Sequence, residues 1–313
     1  MKSRKHKKLI SVIIPCYNEQ DNVREAYRTV SQVIRSTRSS YRFEYIFIDN
    51  GSTDGTRKEI AKVKARHREV RGVFLSRNFG PESSTQAGFD FARGDAVIWY
   101  AADMQEPAQL IPTFIQKWEA GFDSVIGVYT KLQDSFLMVI LRRSFYFVMK
   151  HISNVDIPIN SSGFGLYSRR VVAAMTALPE KNRFGRGIRA WVGYPTAFVR
   201  YGRRARVHGK SSYSIMAYFQ HAERSVFGFS YLPLDMLVYA GFSLTIVSFL
   251  FIIGYIGANI FYRQPIRGGV AILVAIVCFG GINLLALSII GKYIQVIVEE
   301  TKARPTYIVD KVI

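Results

Sequence analysis

The chain has 313 residues, 49% of them hydrophobic, enough for one large or two modest domains with a real core. Lys and Arg outnumber Asp and Glu by 42 to 23, a net charge of +19 that suits anionic lipid headgroups and phosphorylated substrates. Nucleic acid is excluded as a partner because no basic stripe with interleaved stacking aromatics is present, and a zinc site because the five histidines show no ligand spacing.

The N-terminus, Lys2 to Lys8, is basic, but only a strand-length apolar run follows it, too short for the core of a signal peptide. The soluble part is therefore expected to stay in the cytoplasm. Leu9 to Pro15 predicts a strand and Cys16-Tyr17-Asn18-Glu19 a loop, after which Val23, Ala26, Tyr27, Val30, Val33 and Ile34 recur at helical spacing. Tyr45 to Ile48 predicts a second strand, closed by a turn-rich run from Asp49 to Thr56 and followed by a helix with Ile60 and Val63.

Gly72 to Leu75 predicts a third strand, leading through Ser76-Arg77-Asn78-Phe79-Gly80 into a helix from about Ser83 to Phe91. Ala96 to Tyr100 predicts a fourth strand and Leu110 to Trp118 a fourth helix. Strands alternating with helices imply an α/β fold with a mainly parallel sheet, whose ligands bind where the strand-end loops converge. Farther on, Phe136 to His151 predicts a long helix, Ser161 to Tyr167 leads into another, and Arg183 to Trp191 is mixed basic and aromatic.

Ser211 to Tyr231 has the composition of one or two interfacial amphipathic helices. Leu234 to Tyr262 and Gly269 to Ile290 run almost without charge, each long enough for the ~20 residues that cross a bilayer. Basic residues cluster before the first span and after the second, so both ends should face the cytoplasm across the inner (plasma) membrane. Cys16 and Cys278 fall in a predicted loop and a membrane helix, so both are read as reduced. The expected parts are 1–210, a cytoplasmic domain; 211–232, juxtamembrane helices; 233–298, two membrane helices; and 299–313, a cytoplasmic tail.

Two loops carry chemistry. Asp49 ends a strand before a Gly-Ser-Thr turn, where its carboxylate could accept the imide N–H of a uracil while the turn leaves room for a ribose. Ala101-Ala102-Asp103-Met104-Gln105-Glu106-Pro107 follows the fourth strand, and Asp103 and Gln105, two apart on a strand end, would point the same way. Oxygen donors of this kind suit Mg²⁺ or Mn²⁺.

Together, Pro15-Cys16-Tyr17-Asn18-Glu19 and Asp49-Asn50-Gly51-Ser52-Thr53-Asp54-Gly55-Thr56 resemble the nucleotide-binding half of family 2 inverting glycosyltransferases. Ser76 to Gly80, Asp103 to Pro107, Asn182-Arg183-Phe184, Arg186-Gly187, Trp191-Val192-Gly193, Gly209-Lys210-Ser211 and Arg304-Pro305-Thr306-Tyr307 narrow the likeness to polyprenyl-phosphate sugar transferases, such as dolichol-phosphate mannose synthases and undecaprenyl-phosphate glucosyltransferases. The resemblance implies a GT-A-like, Rossmann-type domain and a homo-oligomer. The reaction it implies is inverting transfer of a hexose from a nucleotide sugar, UDP-glucose or a related donor, to a polyprenyl phosphate.

Pro15, Tyr17, Glu19, Asp49, Ser52 and Arg77 would then hold the nucleotide, and Asp103 and Gln105 would be the catalytic, metal-binding pair. Arg143, Arg186, Arg204, Lys210 and Ser211 would hold the acceptor phosphate. The chain departs from the pattern in having Asn50 for a second Asp, Ala101 for an Asp, and Gly163 and Gly165 for the Asp and Arg of Gly-Asp-Phe-Arg-Leu. Ala101, Gly163 and Gly165 motivate a non-catalytic nucleotide- or partner-binding protein as an alternative. A polysaccharide synthase is the other, although neither its Gln-x-x-Arg-Trp segment nor a carboxylate base is evident.

Overall fold

The structure is a computed structural model that describes residues 7–37, 40–130, 160–181, 183–202, 232–262 and 269–313. The expected helix 136–151, the interfacial helices 211–231 and the site candidates Arg143, Arg204, Lys210 and Ser211 lie outside these residues.

Alternation along each strand builds two cores. In β1 (Leu9–Cys16), Ile10, Val12 and Ile14 face one layer and Ile13 the other; in β2 (Arg42–Asp49), Tyr45 and Phe47 oppose Ile46 and Ile48. β3 (Val70–Leu75) and β4 (Ala96–Trp99) divide the same way. Because both faces are covered, these strands read as continuous apolar runs. Each fully buried isoleucine contributes about 2 kcal/mol.

α1 (Val23–Val33), α2 (Thr56–Arg66) and α4 (Ile111–Glu119) cover one face. The other is covered by α3 (Pro81–Phe91), α5 (Arg169–Ala177) and α6 (Gly185–Val192). Proline in the first turn of α3 and of α4 marks where each begins, since the ring fits where no N–H is needed.

Three more strands complete the eight-stranded sheet: β5 (Ser124–Tyr129), β6 (Ser161–Ser168) and β7 (Thr196–Tyr201) on one side, with β8 (Val309–Val312) on the far edge. The order is β7-β5-β6-β4-β1-β2-β3-β8. β1 pairs in parallel with β2 and β4, β2 with β3, and β5 with β7, while β6 runs antiparallel to β4 and β5, and β8 to β3. Strand order reverses between β1 and β4, so the crevice lies at the carboxyl ends of β1, β2 and β4.

Within 299–313, expected as a tail, Val309–Val312 forms the edge strand β8. Ile313 exchanges both backbone hydrogen bonds with Gly72, and a Cβ on Gly72 would stand 2.9 Å from side-chain atoms of Ile313 and Ile60. Ser161 to Ser168 forms a full strand. Gly165 makes that possible, because a Cβ there would sit 2.5 Å from the Val125 carbonyl oxygen.

α7 (Leu232–Tyr262) and α8 (Gly269–Thr301) are the two long apolar helices, and α8 runs past the expected end at Ile290. Both are long and apolar enough to cross a membrane. They present Phe242, Phe251 and Leu284 outward, each more than 65% exposed, a surface that water disfavours.

Candidate functional site

The loops after β1 and β2 are stitched into one unit. Asn18 takes a left-handed conformation (φ 55°), its backbone N–H donates to Ser52 Oγ at 2.9 Å, and its Oδ1 accepts from the Thr53 N–H at 2.9 Å. The Glu19 N–H donates to Thr56 Oγ1 (2.8 Å), and the Gly55 N–H to Gln20 Oε1 (2.9 Å). Asp54 accepts from the Thr56 amide and hydroxyl and from the Gln20 amide. Burial works against the Asp54 carboxylate, but these hydrogen bonds outweigh it and hold its pKa below the ordinary value.

Pro15, Tyr17, Glu19 and Ser52 all lie in this unit, half-buried at its surface. Asn22 Nδ2 donates to Glu19 Oε2. Cys16 ends β1 beneath them; burial first, then the negative charges of Glu19, Asp49 and Asp54, push its thiol up. Three carboxylates therefore converge on this strand end.

Asp49, expected at a uracil, ends β2 directly before these loops. Its side chain has no solvent exposure, accepts Nε–H of Arg57 at 2.7 Å, and takes the Ser52 amide at 3.3 Å. Arg57 also reaches Asp310 (2.9 Å) and the Leu75 carbonyl (2.6 Å), so Asp49 anchors a clasp joining α2, β3 and the C-terminal strand. The neighbouring Asn50, buried, pins the next loop: its Nδ2 donates to Asn78 Oδ1 and the Gly80 carbonyl, and its Oδ1 accepts from the Phe79 N–H. An aspartate here could not make the two donations. In that pinned loop Arg77 is exposed, with its guanidinium 4.1 Å above the Phe79 ring.

β4 ends at Trp99, and the chain then turns instead of continuing extended. Met104 is left-handed (φ 55°), so the alternation that would align the side chains of Asp103 and Gln105 is broken. What joins them is the Gln105 backbone N–H, which donates to Asp103 Oδ1 at 3.4 Å. The turn buries a second acid, Glu106 (4% exposed), beside Asp103 (8% exposed); the sequence reading favoured Gln105 and passed over Glu106. Among the described residues no group of three His, Cys, Asp or Glu side chains is placed to hold a metal.

Across β4 lies the start of β6, since Trp99 opposes Gly165 in antiparallel register. Gly163, where a Cβ would meet the Trp99 ring at 3.3 Å, and Gly165 leave this end of β6 without acids. α6 packs here, carrying Arg186, half-buried, and Arg189, buried, which donates to the Ser162 carbonyl and to Ser161 Oγ. Arg189 was not singled out in the sequence.

The segment leading into α6 is tied to the end of α8. The Lys181 N–H donates to both carboxylate oxygens of Glu300 (2.8 and 2.9 Å), and the Gly185 N–H to Glu82 Oε2 (3.2 Å). Arg183 donates to the Met175, Leu178 and Glu180 carbonyls. Tyr307 Oη donates to Asp90 at 2.8 Å. Burial is the main cause that raises the pKa of both Asp90 and Glu180. Elsewhere, a basic groove of about 520 Å³ between α1 and α2, lined by Arg24, Arg28, Arg35, Lys62 and Arg66, is remote from this chemistry.

Known proteins share the sequence pattern and the fold. The family described as "Glycosyl transferase family 2" matches residues 11–175. An uncharacterized glycosyltransferase of Synechocystis sp. is 35% identical over 96% of this chain and 94% of its own. The SfII prophage-derived bactoprenol glucosyl transferase of Shigella flexneri is 35% identical over 96% of this chain and 97% of its own. Among solved structures, glucosyl-3-phosphoglycerate synthase from Mycobacterium tuberculosis in complex with uridine-diphosphate superposes with a TM-score of 0.50 at 20% identity, covering 70% of this chain and 79% of that one, which supports the fold. On the matching family and the full-length relatives, this chain belongs to glycosyl transferase family 2 and is a glycosyltransferase.

Proposed function

We propose that the protein transfers glucose from UDP-glucose, with inversion, to a polyprenyl phosphate at the cytoplasmic face of the inner membrane. The observation that carries this is the full-length relation to a bactoprenol glucosyl transferase, which extends through α7 and α8 as well as the sheet. A lipid acceptor explains why a sugar transferase has two helices apolar enough to span a bilayer. With catalytic relatives along the whole chain, the substitutions at Ala101, Gly163 and Gly165 do not favour a non-catalytic reading.

The stitched loops of β1 and β2, with Pro15, Tyr17, Glu19, Ser52 and the pinned Arg77, would receive the nucleotide, while Asp49 shapes that pocket through Arg57. The donor set at Asp103, with Gln105 and the buried Glu106, is all oxygen and fits Mg²⁺ or Mn²⁺, ions that share their shell with substrate phosphates. Such an ion, when bound, would neutralise the diphosphate as it leaves. Arg186 belongs to the acceptor side, as would Arg143, Arg204, Lys210 and Ser211.

The chemistry asks little of the protein beyond placement. An acceptor phosphomonoester has a second pKa of about 6, so at neutral pH it is already an anionic nucleophile and needs no general base. One of its oxygens forms a bond to the anomeric carbon as the bond from that carbon to the diphosphate breaks. The nucleoside diphosphate takes the electron pair, and the product is a phosphodiester. Positioning and charge stabilisation therefore carry the rate.

Purified protein incubated with labelled UDP-glucose, Mg²⁺ or Mn²⁺ and undecaprenyl phosphate should yield an organic-soluble glucosyl lipid. Absence of lipid-linked sugar from every common nucleotide sugar would overturn the proposal, and a better yield from another donor would correct the sugar. Chemical cross-linking in native membranes tests the expected homo-oligomer.

A further inference from the structure

Arg189 is a buried cation beside the crevice that no acid among the described residues compensates. It lies in α6 at 7% exposure, and its hydrogen-bond partners among the described residues are neutral: the Ser162 carbonyl at 3.2 Å from Nη1 and Ser161 Oγ at 3.1 Å from Nη2. No carboxylate among the described residues pairs with it. A guanidinium offers five N–H donors and a permanent charge, so among the described residues two neutral oxygens leave three donors and the charge unanswered. Burying a cation in that condition is costly, which implies an anion that arrives with the substrate.

Its place in the fold narrows which anion. Ser161 and Ser162 open β6, and the register of Trp99 with Gly165 sets that end of the strand beside the carboxyl end of β4, where the Asp103 turn begins. The neighbouring positions Gly163 and Gly165 contribute no acid. Arg186 stands three residues earlier on the same short helix. The segment entering α6 is bound through Lys181 to Glu300 at the end of the second apolar helix, whereas the loops proposed for the nucleotide lie beyond β4, on β1 and β2.

We propose that Arg189 binds the phosphate of the polyprenyl acceptor and holds one of its oxygens beside the β4 turn for attack on the anomeric carbon. This rests on the transfer reaction described above. A phosphomonoester close to two negative charges neutralises the guanidinium, and its oxygens can accept the free N–H groups in a forked pair. Lysine would keep the charge and lose the fork.

The test compares wild-type protein with Arg189→Gln and Arg189→Lys. Arg189→Gln should raise the acceptor KM at least tenfold and leave the UDP-glucose KM within twofold, with Arg189→Lys in between. Without ligand, Arg189→Gln should melt no lower than wild type, since an uncompensated buried charge has been removed. Inorganic phosphate at millimolar concentration should raise the melting temperature of wild type and not of Arg189→Gln.

An unchanged acceptor KM with a lower melting temperature would make Arg189 a structural staple and overturn the proposal. A rise in donor KM alone would move it to the diphosphate and overturn it equally. If wild-type protein forms no lipid-linked sugar, the transfer reading fails by itself; the phosphate-dependent melting of wild type and Arg189→Gln still decides whether Arg189 is a phosphate ligand.

Discussion

The loops at the ends of β1 and β2 and the junction where α8 meets the segment before α6 are both held by carboxylates, but in opposite electrostatic states. In the loops, Asp54 is hydrogen-bonded into ionisation and Asp49 is matched by Arg57. At the junction, Glu82, Asp90, Glu180 and Glu300 all act on Arg183, and burial makes Asp90 and Glu180 hold their protons more tightly than usual. A stitched, charge-satisfied region suits a rigid nucleotide platform. A crowded acidic one is poised to respond to pH.

The contrast can be broken experimentally. The largest expected effect is on chemistry: Asp103→Ala should lower glucosyl transfer at least about a hundredfold with little change in melting temperature, because it would remove the carboxylate proposed to hold the metal. Lipid-linked product surviving at wild-type rate would remove Asp103 from the site. Next, Arg57→Ala strands a buried Asp49 and should cost roughly 3 kcal/mol of stability, seen as a lower denaturant midpoint. An unaltered midpoint would mean that the clasp is not what holds the loops.

The two regions should also diverge with pH. The depressed Asp54 pKa contributes stability that is present above its ordinary value and lost as pH falls through the folded one, so acid should loosen the loops. The raised pKa values of Asp90 and Glu180 have the opposite sign. Their contribution favours the fold below the ordinary carboxylate range and is lost as pH rises through the folded values. Amide hydrogen exchange, corrected for intrinsic rates, should show protection falling at Gln20 and Thr56 only as pH drops below about 4; protection in α3 around Asp90 should hold over the same range. Parallel behaviour at the two sites would erase the distinction.

The smallest effect belongs to Glu300→Gln. It weakens the charge-assisted bonds to the Lys181 amide, and should raise the acceptor KM about threefold, the equivalent of roughly 0.7 kcal/mol, with the donor KM unchanged. Equal changes in both KM values would show that the junction serves the whole domain.

What could be read from the sequence followed from local physics. Leu9–Pro15 and Tyr45–Ile48 announce themselves as apolar runs because both faces are covered, and the Asn18 and Asp49 loops because their polar residues satisfy one another nearby. β6 was obscured by Ser161, Ser162, Gly163 and Gly165, whose value lies in fitting against β4 and β5. β8 depends on pairing with β3, far away in the chain. The alignment of Asp103 with Gln105 failed because Met104 turns the backbone left-handed. Arg189 hid among several arginines in 183–191. Ile188 and Val192, four apart against the core, were the available hint that its neighbourhood is buried.

The return of the chain from α8 into β8 has a mechanical consequence. Tyr307 is fastened to Asp90 and Val309–Val312 is zipped onto β3, so the chain that leaves α8 is sewn to the sheet. A domain hung from one stalk swivels; one fastened at two points keeps its bearing. With α7 and α8 in a membrane as proposed, this fastening would hold the crevice at a fixed height and tilt above the lipid headgroups, and cutting the chain after Thr301 would free it to turn while leaving β3 as a bare edge.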